Sequence, residues 1–236
     1  MEDPPQPRQQ AELAPPTTAR PLVDLARDLP NPQMRAMARR LRPLLNWLLC
    51  IDGVNATYAR VQQDTRTPNF FERALRSMNV SYAVADADLR RIPREGPLMV
   101  VSNHPFGGVD GVVLGALLTS VRADALFMVN YLLGTMPEMK PWLIEVDPFE
   151  TNASARANIQ PMKRALAHLK AGNCIITFPS GTVSHWNWQR RAVTDPAWNV
   201  NVARLVQKTK ATVLPVFVEG RNSLLFHLAG ILFGPM

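Results

Sequence analysis

Five short apolar runs, each stopping at a turn-forming or reactive residue and most of them separated by helical periodicity, constrain this chain more than any other feature. Residues 98–101 close at Asn103-His104-Pro105, residues 125–130 at Asn130-Tyr131, and residues 142–146 at Asp147-Pro148. Residues 174–178 close at Pro179-Ser180-Gly181-Thr182, and residues 212–218 at Glu219-Gly220-Arg221. Between them, residues 112–118 are small and apolar, as in a packed helix. Residues 152–171 place Ile159, Met162, Leu166 and Leu169 on one helical face, with Asn152 or Ser154 to start it and Gly172 to stop it. Asp195-Pro196 reads as an N-cap with proline at the first helical position, turning Trp198, Val202, Leu205 and Val206 inward. The alternation predicts an α/β fold: a mixed, largely parallel sheet flanked by helices. Upstream, residues 69–78 predict an amphipathic helix and residues 80–84 alternate like one more strand.

Three segments precede or make up this pattern. Residues 1–32 carry eight prolines and read as a disordered arm that buries too little to order itself. Residues 33–68 form an amphipathic helical segment in which Met34, Met37, Leu41, Leu44, Leu45 and Leu48 recur near helical spacing among Arg35, Arg39, Arg40 and Arg42. Pro43 kinks or splits it. With Trp47 this segment reads either as an interfacial helix on anionic headgroups or as a surface helix packed on the main domain. Residues 69–236 make the α/β domain.

The formal net charge of +7 calls for an acidic partner, nucleic acid or an anionic membrane surface. No apolar run approaches a bilayer span and the first residues do not read as a secretory signal, so a cytoplasmic protein is expected. Cys50 and Cys174 lie in apolar surroundings without metal-ligand spacing, and core thiols are expected.

Parallel strands bring their carboxyl ends to one edge, where open α/β sheets bind ligands. That edge collects His104, Ser180-Gly181 and Glu219-Arg221. An imidazole suits base catalysis near neutrality. Asp110 reads as the carboxylate that fixes the histidine tautomer, or as a cap for the helix that follows. Ser180 lacks a Gly-x-Ser-x-Gly setting and is not read as a nucleophile. Residues 185–191, which mix tryptophans and bases, read as a stacking platform, an interfacial anchor or a packed loop; no nucleic-acid motif accompanies them. His168 and His227 read as structural.

The segments Asn103-His104 through Asp110, Phe178-Pro179-Ser180-Gly181-Thr182, and Val213 through Gly220 resemble, in order and spacing, the motifs of the glycerolipid (lysophospholipid) acyltransferase superfamily. Asn103-His104-Pro105-Phe106-Gly107-Gly108, Thr194-Asp195-Pro196 and Gly220-Arg221-Asn222-Ser223 are most similar to its bacterial hemolysin-like, lyso-ornithine-lipid acyltransferase branch. The likeness begins near Leu44 and runs to the C-terminus. Two departures stand out. Five residues separate His104 from Asp110 where the superfamily usually has four, the extra one falling in the Gly107-Gly108 turn. Ser180 and Val183 stand where glutamate and arginine are usual.

The resemblance implies transfer of a fatty acyl group from an acyl-carrier-protein or coenzyme A thioester to a lysolipid hydroxyl. His104 is then the base and Asp110 its orienting partner, with no metal or redox cofactor. It further implies that Asn103, Phe106, Gly107, Gly108, Phe178, Pro179, Ser180, Gly181, Thr182, Glu219 and Arg221 shape the substrate site. The missing motif arginine favours an amino-acid lysolipid over a phosphate-bearing acceptor, and Arg221, or less so Arg156, is left to meet an anionic headgroup. The expected setting is peripheral, on the inner face of the cytoplasmic membrane, with no nucleic-acid partner. Relative to the resemblance, the chain ends before a closing segment. Two other readings stay open: a noncatalytic lipid- or acyl-carrier-binding module, and a thioesterase or lysophospholipase.

Overall fold

The computed structural model describes residues 21–24, 27, 31–48, 50–130, 134, 136–147 and 156–223. The arm before residue 21, the helix starts Asn152 and Ser154, and His227 lie outside the described residues. The chain divides into two compact units at Thr65/Arg66.

The first unit includes the helices α1 (Pro32–Arg40), α2 (Arg42–Leu48) and α3 (Ile51–Gln63). Asn31 caps α1, its side chain accepting from the Gln33 backbone at 2.8 Å, and Pro32 supplies a preset φ at the first helical position. The expected break falls at Leu41, because Pro43 is tolerated only near the start of a new helix. The Asn55 amide holds both backbone groups of Val23, at 2.9 Å each, and so pins the incoming chain to α3. Met34, Met37, Leu41 and Leu44 are exposed, together with Arg39, Arg40 and Arg42, and Arg35 is half-buried. Cys50 is exposed in a left-handed conformation that opens α3, which corrects its reading as a core thiol.

The second unit begins with α4 (Phe70–Met78), capped by Asn69, whose side chain accepts from Phe71 and Glu72 and donates to Thr119 at 2.9 Å. Residues 80–84 form no strand. Asn79 ends α4 in a left-handed turn, and the chain then runs extended without a ladder partner to α5 (Asp86–Leu89). Alternation alone leaves backbone donors and acceptors to water unless a neighbouring strand takes them.

Five strands follow: β1 (Leu98–Ser102), β2 (Leu126–Asn130), β3 (Leu143–Val146), β4 (Cys174–Thr177) and, after the β5–β6 hairpin described below, β7 (Thr212–Val216). They form one sheet in the order β3-β2-β4-β1-β7, every pairing parallel. The helix α6 (Gly108–Thr119) links β1 to β2, a short 3-10 helix (Pro137–Trp142) leads into β3, and α7 (Ile159–Lys170) returns to β4. Helix α8 (Val200–Thr209) leads into β7. Its cap is Asn199, not Asp195, and Trp198 is exposed instead of turned inward. Pro215 is accommodated because β7 is an edge strand, where one row of backbone donors has no ladder to serve.

The faces of β1 separate by period two. Met99 and Val101 join Ile144, Ile175, Ala165, Leu169, Val202 and Leu205 under α7 and α8. Ile159, expected on that inner face, is 50% exposed in the first turn of α7. Leu98 and Val100 are likewise buried. Phe71 of α4 is fully buried and touches the rings of Phe127 and Trp142 at 5.5 and 5.7 Å. Gly115 of α6 is required there, since a Cβ at that position would overlap the Phe71 ring.

Among the described residues, antiparallel pairing is confined to a separate two-stranded hairpin, β5 (His185–Asn187) with β6 (Ala192–Thr194), in register His185↔Thr194. This hairpin occupies the aromatic and basic run. Trp186 and Trp188 meet edge to face at 6.0 Å, Trp188 is 70% exposed, and the tip residues 188–191 are exposed.

Candidate active site

The sheet order places β4, β1 and β7 side by side, so the segments leaving their carboxyl ends are neighbours. His104 follows β1, Phe178 follows β4, and Val218 lies just past β7.

Asp110 organises the turn between β1 and α6. Its Oδ2 accepts from the backbone N–H of Phe106 at 2.8 Å and of Gly107 at 3.0 Å, and His104 Nδ1 lies 3.0 Å from the same oxygen. Asp110 therefore makes both contacts at once: from the third residue of α6 it bonds back to Gly107 N, and it meets the histidine ring. The carboxylate is 1% exposed and sits at a helix N-terminus, where the unpaired N–H groups favour negative charge. Gly107 makes the turn possible at φ +73°. Gly108, the first residue of α6, is exposed.

With Oδ2 accepting from two backbone donors, an ionised Asp110 is matched by a proton on Nδ1, which leaves the Nε2 lone pair as the basic end of the ring. The His104 side chain is 17% exposed, neither sealed nor free. Phe178 stacks on the imidazole with centroids 4.0 Å apart and planes 22° from parallel. That contact makes Phe178 a support for the ring.

The main chain of His104 is held as well. Its N–H donates to Asp195 Oδ1 at 3.2 Å and its C=O accepts from Ser184 N at 2.8 Å. The Ser184 hydroxyl donates to the same Oδ1, and Trp198 Nε1 donates to Oδ2 at 3.0 Å. One residue earlier, the Asn103 amide pairs with both backbone groups of Val218, at 2.7 and 2.8 Å. Asn103 thus extends the β1–β7 ladder by side chain after the strands end.

The other expected site residues are spread more widely. Phe106 packs its ring against Gly220, where a Cβ would overlap it. Pro179 is buried and its carbonyl accepts from Asn199 N at 2.9 Å. The Ser180 hydroxyl donates to the Thr182 carbonyl at 2.9 Å inside its own turn, and Gly181 carries the positive φ of +71° that the turn needs. Thr182 is half-buried, whereas Glu219 and Arg221 are exposed.

A cleft of about 430 Å³ opens beside this turn. Asn103, Pro105, Ser184, Asp195, Trp198 and Phe217 line it, and Arg190 is the one cation among its described lining residues. Neither Glu219 nor Arg221 lines it. Sequence reading missed Arg190 as a site residue because its chain position, on a hairpin tip, gives no hint of what it faces.

Residues 21–233 match a family model described as Acyltransferase. The chain belongs to this acyltransferase family. A lyso-glycine lipid O-acyltransferase of Phocaeicola vulgatus is 31% identical over 140 residues, 59% of this chain and 48% of that protein. Another, of Bacteroides thetaiotaomicron, is 27% identical over 177 residues, 75% of this chain and 61% of that protein. The alignments thus span about half to three fifths of the length of these curated relatives. The acyltransferase family and the parallel α/β sheet agree with the resemblance read from the three sequence motifs.

Proposed function

We propose that this acyltransferase-family chain moves a fatty acyl group from an acyl-carrier-protein or coenzyme A thioester to the hydroxyl of an amino-acid lysolipid. The observation that carries the reading is the His104–Asp110 contact at 3.0 Å on the edge of a parallel sheet. Nε2 takes the proton of the acceptor hydroxyl as its oxygen attacks the thioester carbonyl. The tetrahedral intermediate then collapses to the ester, the C–S bond breaks, and the departing thiolate receives the proton from the imidazolium. Asp110 stabilises the imidazolium between the two transfers. No metal or redox cofactor enters this scheme.

The relatives' activity as lyso-glycine lipid O-acyltransferases supports an acceptor with a free carboxylate. In this reading Arg190 meets that carboxylate in the cleft, a role guanidinium fills with two parallel hydrogen bonds. Arg190→Gln is expected to raise the acceptor KM about tenfold or more, the size of one lost charge-assisted bond, and to leave the donor KM unchanged. An unchanged acceptor KM removes Arg190 from the site.

The exposed Met34, Met37, Leu41 and Leu44 beside four arginines support a peripheral position on an anionic, inner-face membrane surface. No helix among the described residues is long and apolar enough to cross a membrane.

The test pairs acyl-carrier-protein and coenzyme A donors with lyso-glycine lipid, lyso-ornithine lipid and lysophosphatidate, and follows products by mass spectrometry. The expected result is an ester product with an amino-acid acceptor. Free fatty acid without ester identifies a thioesterase or lysophospholipase instead, and lipid binding without thioester consumption identifies a noncatalytic module.

A further inference from the structure

We infer that Asp195 is the positioning residue for His104, holding the main chain of the base through the open end of the β5–β6 hairpin. This deepens the proposal above and rests on His104 being the base. Ser184 and Asp195 flank the terminal hairpin pair His185↔Thr194, one residue beyond it on each strand. From there they take both backbone groups of His104, Asp195 Oδ1 receiving the N–H and Ser184 N meeting the C=O. Ser184 is 4% exposed and Asp195 is half-buried.

The Asp195 carboxylate is fully engaged: Oδ1 accepts from His104 N and Ser184 Oγ, and Oδ2 from Trp198 Nε1. It makes no contact with the imidazole. Its effect on chemistry therefore runs through geometry. Asp110 and Phe178 fix the plane of the ring, and Asp195 and Ser184 fix where that plane stands. Asp195 and Ser184 also line the cleft, as do Arg190, Val193 and Thr194 of the same hairpin. One wall of the cleft and the anchor of the base are thus the same hairpin.

The arrangement of donors makes an asymmetric test possible. In Asp195→Asn the amide oxygen replaces Oδ1 and keeps its two donors, but the amide NH2 replaces Oδ2 and meets the Trp198 N–H, donor against donor. Trp198→Phe removes that N–H. A structural anchor predicts that Asp195→Asn is harmful in the native chain and well tolerated in the Trp198→Phe background. A requirement for negative charge at residue 195 predicts the same loss in both.

The experiment is this double-substitution cycle in the full chain. It reads kcat and acceptor KM together with the ring-nitrogen signals of 15N-labelled histidine, assigned by His104→Gln. Asp195→Ala is expected to lower kcat about 10- to 100-fold, as a misplaced catalytic group does, with acceptor KM within about threefold. It also shifts the His104 ring signals and leaves those of His168 in place. Asp195→Asn loses a similar factor alone but less than about fivefold relative to Trp198→Phe.

Native kcat in Asp195→Ala, or His104 ring signals that do not move, overturns the inference. Equal losses from Asp195→Asn in both backgrounds overturn it also, and this comparison still decides where the alanine variant fails to fold. An active His104→Ala enzyme instead overturns the base assignment, a result separable from every one of these.

Discussion

Replacing His104 with alanine lowers acyl transfer by about 10²- to 10⁴-fold, the contribution of a positioned general base, and leaves the fold in place. Folding survives because the lost side chain sits at a sheet edge and because Asp110 keeps both of its backbone donors, Phe106 N and Gly107 N. The measurement is ester formation per enzyme by mass spectrometry, with circular dichroism and a thermal melt on the same preparation. Asp110→Asn is the informative companion. Placed at the Oδ2 position, the amide oxygen still accepts from Phe106, Gly107 and His104 Nδ1, so the tautomer is retained and only the negative charge is lost. Oδ1 is buried without a hydrogen-bond partner, and the amide NH2 would inherit that place. The variant therefore loses stability by about 1–3 kcal/mol, the cost of an unsatisfied buried donor. It also loses about 10²-fold in rate, the low end of the base's own contribution, through a less stable imidazolium. Turnover undiminished in His104→Ala ends the base mechanism; undiminished turnover in Asp110→Asn alone shows that hydrogen bonding without charge suffices.

That the pair was legible in sequence has a physical reason. Strands β1, β2, β3, β4 and β7 are short apolar runs bounded by strong punctuation, and their places along the chain follow from local pattern, whereas their order in the sheet does not. A histidine one turn ahead of a helix-capping aspartate is also a local relation, six residues apart. Asp195 shows the opposite case. Followed by proline it carries every local mark of an N-cap, yet Asn199 does that work and Asp195 serves a donor 91 residues away. Nothing in a short window separates those roles. Phe178 stacks on an imidazole from another strand, and Arg190 lines the cleft from a hairpin that the sequence reads as a stacking platform, an interfacial anchor or a packed loop. Residues 80–84 failed in the other direction: alternation was present and a partner strand was not.

At the opposite, amino-terminal edge of the sheet, Arg122→Leu is expected to cost about 1–3 kcal/mol of stability, the penalty for leaving buried acceptors without their donor beside a half-buried carboxylate. Arg122 is 3% exposed and its guanidinium donates to Asp124 at 2.8 and 2.6 Å and to the carbonyls of Pro93, Gly96 and Gly172 at 3.0 to 3.1 Å. Asp124 Oδ2 in turn accepts from Cys174 N at 3.1 Å. One cation thus ties together the chain entering β1, β2 and β4, the three central strands of the sheet. Leucine fills the volume but leaves those carbonyls and the Asp124 carboxylate without their donor. Lysine keeps the charge but not the planar fork, so Arg122→Lys recovers only part of the loss. Acid titration supplies an independent reading. Burial raises the Asp124 carboxyl, but the hydrogen bond and charge of Arg122, with backbone donors, outweigh it and hold the group below its ordinary 3.8. A depressed carboxyl stabilises the fold above its unfolded value and loses that contribution as pH falls through the folded one. In denaturant unfolding, the gap between native and Arg122→Leu proteins is therefore widest near neutrality and narrows below pH 3.8. A gap under about 0.5 kcal/mol at neutral pH, the range of ordinary surface substitutions, would show that the strand entries are held by packing alone.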